Sequence, residues 1–426
     1  MRPTMKLLTA ALCLIPSAFV SAPAQTLPVH GRTEIPKSST YTAADLGVRM
    51  HTALRIFVPD GPRLTPNELP PASGYAYETP ASLACVYGLA PPTPGCNPNS
   101  TTNNPSGGGG SIAVVDAYDD PSAASDLAAY SQQFGLPSAD FSVVFAGGST
   151  PAQDPTGGWE LEESLDIEMA HAMAPGAKIY LVEANSNSNI DLFTAVLVGA
   201  NLVSCGQTTC AQAGHGHGEV SMSWGGSEFS AEAQLDSIFQ QRGVVYFAAA
   251  GDAAGTEYPC VSPNVVCVGG TDTARSIYTG NFLYEVAWMD TGGGFSLYEP
   301  RPGYQNALRE IVGSSRGVPD VSFDGGDNNP VWMYDGFGYE GEPGGWYLVY
   351  GTSVGTPSMA GIVNVAGQFL DSSAAELRQI YTFSSFPGAG FTDIARGYCG
   401  PYDTFAATQG WDYCTGVGSP FGYKGK

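Results

Sequence analysis

The sequence predicts an α/β protein whose single large domain is built on a doubly wound, mostly parallel sheet flanked by helices. Short and almost wholly apolar runs alternate with longer helical patterns from Ser111 onward, as in parallel strands that are covered on both faces. No segment resembling a linker interrupts the chain between Ser111 and Pro420, so we expect one domain over this length.

The elements follow one another in a regular order. Their alternation predicts right-handed βαβ units, in which sites lie at the carboxyl ends of the strands. The region 269–350 has no clear period. The predicted strands span 111–118, 141–147, 178–184, 219–225 and 244–251, the helices between them span 121–134, 159–174, 190–203 and 230–242, and a long buried helix spans 353–370.

The charge composition limits the possible partners. The chain has 426 residues with 40 acidic and 17 basic side chains, which gives a formal net charge of −23. A surface that binds nucleic acid needs clustered Lys and Arg, and the sequence contains no basic run. We therefore expect no nucleic-acid partner.

The N-terminal residues 1–24 have the pattern of a secretory signal. Arg2 and Lys6 precede an apolar stretch that ends in a small-residue cleavage site at Ala24. A membrane anchor would need about 20 apolar residues, and Pro16 interrupts this stretch. The sequence therefore predicts a secreted protein, extracellular or periplasmic, with no membrane partner.

Residues 25–75 are rich in proline and short apolar pieces, without a helical period long enough to define a domain. We interpret them as a short N-terminal extension or reduced propeptide. Residues 76–426 would then form the main domain.

The cysteines predict disulfides. Removal of the signal leaves eight, and an even number in an exported chain favours bridges. Zinc binding is disfavoured because no CxxC motif is present. Four pairs are close in sequence and predict four local bridges: Cys85 with Cys96, Cys205 with Cys210, Cys260 with Cys267, and Cys399 with Cys414.

Ser353 is a candidate nucleophile in the segment 350-YGTSVGTPSMAG-361. A Gly-Thr-Ser turn delivers it to the start of an apolar helix, where Pro357 is tolerated in the first turn. Its hydroxyl would be exposed there, and free backbone N–H groups could stabilise an oxyanion. Alternatively, Ser353 only caps the helix.

Glu162 and Asp166 are a candidate base and its partner. Four residues separate them, which places them about 40° apart on one helix face. Two carboxyls so close repel one another, so one is expected to hold a proton while the other can act as a general base. Alternatively they belong to a solvated acidic face, since Glu160, Glu163 and Glu168 are nearby.

Asp252 follows the apolar strand 244–251, where ligands bind in parallel sheets. A protonated carboxyl there can donate a hydrogen bond to a developing oxyanion. The alternative is a turn residue.

Together these segments resemble the sedolisin family, the serine-carboxyl peptidases with a subtilisin-like core. Further matching motifs are 173-MAPGA-177, 223-SWG-225 and 258-YPCVSPNVVCVGGT-271, and the resemblance runs from about Tyr77 to Pro420. It implies Ser353 as nucleophile, Glu162 as base, Asp166 as its orienting partner and Asp252 as oxyanion donor. The chain would be a monomeric endopeptidase that hydrolyses protein or peptide substrates at acidic pH through an acyl-enzyme.

The resemblance also implies a calcium site near the C-terminus. Carboxylate and carbonyl oxygens suit this hard cation. The alternative is a disulfide-stapled loop with no metal. The implied ligands are the carboxylates of Asp393 and Asp412 and the backbone carbonyls of Ile394, Thr408 and Gly410.

Two other functions are left open. One is a subtilisin-like triad of Asp116, His171 and Ser353, although His171 lies nine residues from Glu162 and so on the opposite face of the helix. The other is a secreted binding protein on an inactive peptidase scaffold, since a fold does not fix a function. Outside the triad, Asp116 could serve the site as an auxiliary carboxyl or be structural.

Overall fold

The computed structural model describes residues 31–60, 70, 77–205, 217–383, 390–400, 402 and 404–426. The predicted signal, residues 1–24, and Cys210 lie outside these ranges, so the signal and the Cys205–Cys210 bridge stay predictions. Across the described ranges, no helix has the length and apolar character needed to cross a membrane.

The described chain forms twenty-one strands and seven α-helices. The strands are β1 Gly31–Glu34, β2 His51–Thr52, β3 Arg55–Pro59, β4 Ser111–Ala117, β5 Asp140–Phe145, β6 Lys178–Ala184, β7 Gly218–Met222, β8 Trp224–Ser227, β9 Val244–Ala249, β10 Glu257–Tyr258, β11 Val266–Arg275, β12 Phe282–Ala287, β13 Gly294–Pro300, β14 Ser315–Val318, β15 Val321–Asp324, β16 Val331–Asp335, β17 Gly345–Tyr350, β18 Phe391–Thr392, β19 Tyr398–Cys399, β20 Phe405–Ala406 and β21 Ser419–Pro420. The helices are α1 Pro80–Val86, α2 Ala123–Phe134, α3 Gly158–Met173, α4 Asn189–Cys205, α5 Arg309–Val312, α6 Thr352–Ala366 and α7 Ser373–Phe383.

An eight-stranded sheet forms the centre of the molecule. Its order is β12-β11-β9-β7-β4-β6-β5, with β15 also paired to β11. Every pairing is parallel except that of β11 with β12. The predicted α/β class with a mostly parallel sheet is therefore confirmed.

Apolar side chains fill the space on both faces of this sheet. Ile112 and Val114 of β4 belong to one hydrophobic core, whereas Ala113 and Val115 belong to the other. Successive side chains of a strand point to opposite faces, so a strand buried on both sides must be apolar throughout. This is why the strand runs could be recognised in the sequence.

Helices α3 and α6 pack closely against each other on one face of the sheet. Gly361 of α6 permits the approach, because a Cβ there would lie 2.8 Å from Met173 Cβ and 3.1 Å from the Ala170 carbonyl oxygen. This contact brings the two helices that carry Ser353 and Glu162 together.

Several predicted elements differ from the structure. Residues 230–242 form two short 3-10 turns, Glu232–Gln234 and Asp236–Phe239, instead of a helix, and the Asp236 side chain accepts a hydrogen bond from the Ser262 hydroxyl. The predicted strand 219–225 divides into β7 and β8, which belong to different sheets. The region 269–350 contains six whole strands, β12 to β17, and most of β11. The long helix ends at Ala366, where Gly367 adopts a φ of 68°.

The described part of the N-terminal extension pairs with strands from the rest of the chain. β3 lies between β1 and β17 in a four-stranded sheet, and β2 pairs with β8 in a three-stranded sheet. The connecting residues Ala53 and Leu54 are buried. The extension is therefore joined to the body through two separate sheets.

Three of the four predicted disulfides are present among the described residues. They join Cys85 to Cys96, Cys260 to Cys267, and Cys399 to Cys414.

Candidate active site

Ser353 lies in the first turn of α6, directly after a glycine. Gly351 has a φ of 134°, which side-chain-bearing residues rarely adopt, and it allows the sharp turn from β17 into the helix. Gly351 is also the N-cap, so the alternative in which Ser353 caps the helix is wrong. The Ser353 N–H donates to the Ala53 carbonyl at 3.0 Å, and its hydroxyl donates to the Ser223 carbonyl at 3.3 Å.

The Ser353 side chain is fully buried, contrary to the exposed hydroxyl expected from the sequence. The burial follows from a tertiary contact, because the segment around Ala53 lies over the start of α6.

Glu162 and Asp166 project from α3, and both side chains are fully buried. Among the described residues, no hydrogen bond of normal length and angle reaches their carboxyl oxygens, although the hydroxyls of Ser353 and Ser223 lie close to them. Burial raises the pKa of Glu162 well above its usual range, the charges of Asp166 and Asp116 raise it further, and the nearby Ser353 hydroxyl opposes the rise. The pKa of Asp166 is raised first by burial and then by the charge of Asp116.

Asp116, at the carboxyl end of β4, is the third member of this carboxyl cluster. It is fully buried, and burial raises its pKa to about 8. Its charge acts on both Glu162 and Asp166, so protonation of the three carboxyls is linked. The structure thus places Asp116 beside the predicted pair.

Asp252 follows β9, and its carboxyl contacts the start of α6 at Thr352. Its Oδ1 accepts from the Thr352 N–H at 2.8 Å and from the Thr352 hydroxyl at 3.0 Å, whereas Oδ2 is buried with no partner among the described residues. Burial raises its pKa to about 7, although Arg55 and the hydrogen bonds from Thr352 oppose the rise. A proton on Oδ2 would make this oxygen a donor.

The other acidic residues of α3 do not form a solvated face. Glu160, Glu163 and Glu168 are fully buried, so that alternative is wrong. Glu168 accepts from the Tyr334 N–H at 3.1 Å, and Glu160 accepts from the Asp154 N–H at 2.7 Å. Burial, and then the charge of Glu183, raises the pKa of Glu163 well above its usual range.

His171 lies on α3 but does not join the cluster. Its Nε2 contacts the Pro137 carbonyl at 2.8 Å. Nine residues of helix separate it from Glu162, which is about 13 Å along the helix axis. The geometry therefore gives no support to a triad of Asp116, His171 and Ser353.

The five residues of the implied calcium site come together in one group of loops beside the Cys399–Cys414 bridge. The Gly410 N–H donates to Asp393 at 3.0 Å, and the Thr408 N–H donates to Asp412 at 2.9 Å. The Thr415 hydroxyl links Asp412 to the Ile394 carbonyl. The carboxylates of Asp393 and Asp412 and the Ile394 carbonyl are oxygen ligands of the kind that a hard cation prefers. The site supplies only two carboxylates, and no described residues gather three or more acidic, His or Cys side chains at a metal-binding spacing.

Sequence reasoning missed the contribution of Arg55. Its guanidinium donates to Asp290 at 2.6 Å and to the Asp252 carbonyl oxygen, and it lies 5.4 Å from the centroid of the Trp288 ring. Arg55 is one of few basic residues and lies in an apolar run, a pattern that indicates a specific partner for its charge. The sequence does not identify that partner.

Comparison with known proteins places the chain in a family. The model of the subtilase family matches residues 152–418. Kumamolisin from Bacillus sp. (strain MN-32) is 32% identical over 355 residues, which cover 75% of this chain and 59% of that protein. The chain belongs to the sedolisin family. The predicted family is thereby confirmed.

Further relatives agree with this membership. Sedolisin from Pseudomonas sp. (strain 101) is 25% identical over 334 residues, covering 69% of this chain and 53% of the relative. A solved Pseudomonas sedolisin, a serine-carboxyl proteinase complexed with pseudo-iodotyrostatin, shares the sedolisin fold with a TM-score of 0.63 at 22% identity, over 81% of this chain and 96% of that one. The chain thus spans little more than half the length of the two curated relatives.

Proposed function

We propose that this protein is a secreted serine-carboxyl endopeptidase that hydrolyses peptide bonds of proteins and peptides at acidic pH through an acyl-enzyme on Ser353. One observation carries the proposal. A serine at the start of a buried helix lies next to the Glu162 carboxyl, which interacts with the carboxyls of Asp166 and Asp116, and the Asp252 carboxyl lies beside the same helix start.

Each group has a definite role in the proposed reaction. Glu162 takes the proton of the Ser353 hydroxyl as Ser353 attacks the substrate carbonyl, and Asp166 orients Glu162. The Ser353 N–H and the protonated Asp252 donate to the oxyanion. The C–N bond then breaks as Glu162 passes the proton to the leaving amine, which forms the acyl ester on Ser353, and water hydrolyses this ester to a carboxylate and frees the serine.

The pKa of Asp252 sets an upper pH limit on the proposed activity. Asp252 donates only while it is protonated, and its pKa of about 7 means that this form is lost as the pH rises through neutrality. The linked carboxyls of Glu162 and Asp166 must supply one ionised group while a neighbour stays neutral. Activity should therefore follow a bell-shaped curve that falls above neutrality as Asp252 ionises, and falls on the acid side as the last ionised carboxyl of the Glu162 group takes up a proton.

The test compares Ser353→Ala and Glu162→Gln with wild type on a peptide library between pH 3 and 8. Each substitution should lower the turnover number by several powers of ten, and the double variant should lose little more, because the residues act as a unit. Glu168→Gln is the matched control, since the same change on the same helix affects a carboxyl that binds Tyr334. Near wild-type turnover of Glu162→Gln would refute the assignment, and an inactive wild-type protein would favour a binding protein.

Calcium is the proposed structural ion, held by the carboxylates of Asp393 and Asp412 and the backbone carbonyls of Ile394, Thr408 and Gly410. When bound, it would stabilise these loops, and it takes no part in peptide hydrolysis. Residues 25–75 are proposed as the extension or propeptide, and 76–426 as the peptidase domain of a monomer.

A further inference from the structure

A further buried carboxyl lies beside Asp116 on the central sheet. Glu183 of β6 is the register partner of Asp116 in β4, and neighbouring strands lie about 4.8 Å apart. Alternate residues of a strand share one face, and Ile179 and Leu181 of β6 lie in the hydrophobic core that also holds most apolar residues of α3. The Asp116 and Glu183 side chains therefore lie next to each other on the face that α3 covers.

Glu163 of α3 faces Glu183, and both side chains are fully buried. Among the described residues, no hydrogen bond of normal length and angle reaches either carboxyl. Nor does a basic side chain of the described ranges form an ion pair with them. A buried carboxyl without a cation or a strong donor keeps its proton or shares one with a neighbouring carboxyl.

Glu183 also connects this pair to the surface. Burial raises its pKa to about 9, and the charge of Asp119 adds to the rise, as do those of Asp120 and Asp116, while the nearby Asp120 N–H opposes it. Asp120 is buried and accepts from the Ser164 hydroxyl at 3.2 Å, whereas Asp119 is partly exposed. Asp119 is therefore the member of this group that exchanges protons with water.

Asp116 joins the pair to the candidate site. Burial raises the pKa of Glu163 and Glu183 most, and the charge of Asp116 adds to this rise, as it does for the two candidate carboxyls of α3. In the described part of the chain, the charged groups that face Glu163 and Glu183 are all carboxyls, with Glu160 and Asp120 at the side. The connected set, named here the carboxyl row, runs from the nucleophile outward through Glu162, Asp166, Asp116, Glu163, Glu183 and Asp119.

We propose that Glu163 and Glu183 carry protons between Asp116 and the partly exposed Asp119, and so keep the carboxyls beside Ser353 in the protonation state that the reaction needs. This inference rests on the proposed function. Glu163 and Glu183 act through Asp116, so they are positioning residues. In each transfer one proton passes from a neutral carboxyl to its ionised neighbour, and the number of protons in the row changes only where Asp119 exchanges with water.

Peptide hydrolysis in acid requires such an exchange. One proton is taken up when the amine product becomes an ammonium ion, and one is released when the acid product ionises. Ser353 is fully buried, and a bound substrate excludes water from an active site, so these protons need a route away from the nucleophile. A carboxyl can both give and accept a proton, whereas the amide of glutamine does not titrate.

The experiment measures the turnover number and KM of wild type and Glu183→Gln on one peptide at about pH 4, close to ordinary carboxyl pKa values. The concentration of formate buffer is varied at constant ionic strength. Glutamine has the shape of the neutral carboxyl, so KM should be unchanged. The turnover number should fall by roughly tenfold in dilute buffer, less than the ~10²–10⁴-fold contribution of a general base itself.

The buffer dependence distinguishes a proton route from a structural role. Formic acid supplies protons from solvent, so the turnover number of Glu183→Gln should rise with buffer concentration, whereas that of wild type should stay constant. Asp119→Asn, at the outer end of the row, should show the same loss and the same rise, and the double variant should lose little more. Glu219→Gln is the matched control, because it removes a buried strand carboxyl that binds Asn364 outside the row, and it should behave as wild type.

Two results would overturn the inference alone while wild type cleaves the peptide. One is a turnover number of Glu183→Gln equal to that of wild type, and the other is a loss that no buffer concentration relieves. Thermal unfolding at the same pH shows whether Glu183→Gln is folded, and if it is not, the partly exposed Asp119→Asn decides by the same two criteria. A wild-type protein that cleaves no peptide would overturn the proposed function and the inference together.

Discussion

Glu219 provides a test of the buried carboxyls away from the candidate site. This β7 residue is 1% exposed, and its Oε2 accepts from Asn364 Nδ2 at 2.8 Å. Burial raises its pKa from 4.5 to about 8, the Asn364 hydrogen bond opposes this, and the charge of Glu376 adds to it. We predict that Glu219→Gln leaves stability unchanged in acid and increases it at neutral to alkaline pH.

The sign follows from where the proton is held. Below the pKa that Glu219 has in the unfolded chain, its carboxyl is protonated in both the folded and the unfolded state. Burying the neutral carboxyl then carries no cost of ionisation. Between the two pKa values only the folded state holds the proton, so the free energy of unfolding falls as the pH rises, until Glu219 also ionises in the folded state near its pKa of about 8. Each pH unit between the two values costs about 1.4 kcal/mol. Over the whole range between the two pKa values, the free energy of unfolding therefore falls by an amount on the order of 5 kcal/mol. Glutamine avoids this loss because it does not titrate.

The assay is thermal unfolding of Glu219→Gln at pH 4 and pH 9, at one scan rate and in a Ser353→Ala background to prevent self-digestion. The melting temperature should rise by about 5 °C at pH 9 and stay within a degree or so at pH 4. Glu310→Gln, at a side chain that is 86% exposed, is the control and should change neither value. An equal shift at both pH values would refute the reasoning, since only a titrating group gives a pH-dependent difference.

Three further predictions concern the site, the metal and the bridges. Asp252→Asn keeps a hydrogen-bond donor that does not titrate, so its activity profile should retain activity above pH 7, where wild type loses it; a profile identical to wild type would exclude Asp252 as the alkaline group. Chelation should lower the melting temperature of wild type but not of Asp412→Asn, because only a bound ion stabilises the folded state; no effect on wild type would exclude the calcium. Non-reduced peptide mapping should find Cys205 joined to Cys210, and free thiols at both would contradict that bridge.

The elements that could be predicted from the sequence are those whose pattern is visible within a short stretch of residues. The central strands are apolar throughout because both faces are buried, and the turn at Gly351 marks the start of α6. Membership of the sedolisin family followed from motifs that lie far apart in the chain. Each strand, turn and motif could be recognised from its own short stretch of sequence.

What could not be predicted depends on distant pairing. Nothing near Arg55 indicates that β3 pairs with Tyr350 or that Asp252 lies beside the guanidinium. The acidic side chains of α3 have the same spacing whether they face water or a buried cluster, so the sequence left Glu163 and Glu168 undecided. Their burial depends on β6 and β16, which come from elsewhere in the chain.

The close crossing at Gly361 helps to set the separation of Ser353 and Glu162 from a point far along both helices. Gly361 lies eight residues beyond Ser353, about 12 Å along α6, and it touches α3 near Met173, at the opposite end of that helix from Glu162. Because an α-helix is stiff, a change in the contact between α3 and α6 at Gly361 also moves the distant ends of the two helices. A methyl group added at Gly361 would lie 2.8 Å from Met173 Cβ, so the two helices would have to shift there, and the separation of the Ser353 hydroxyl and the Glu162 carboxyl would change although neither residue had been altered.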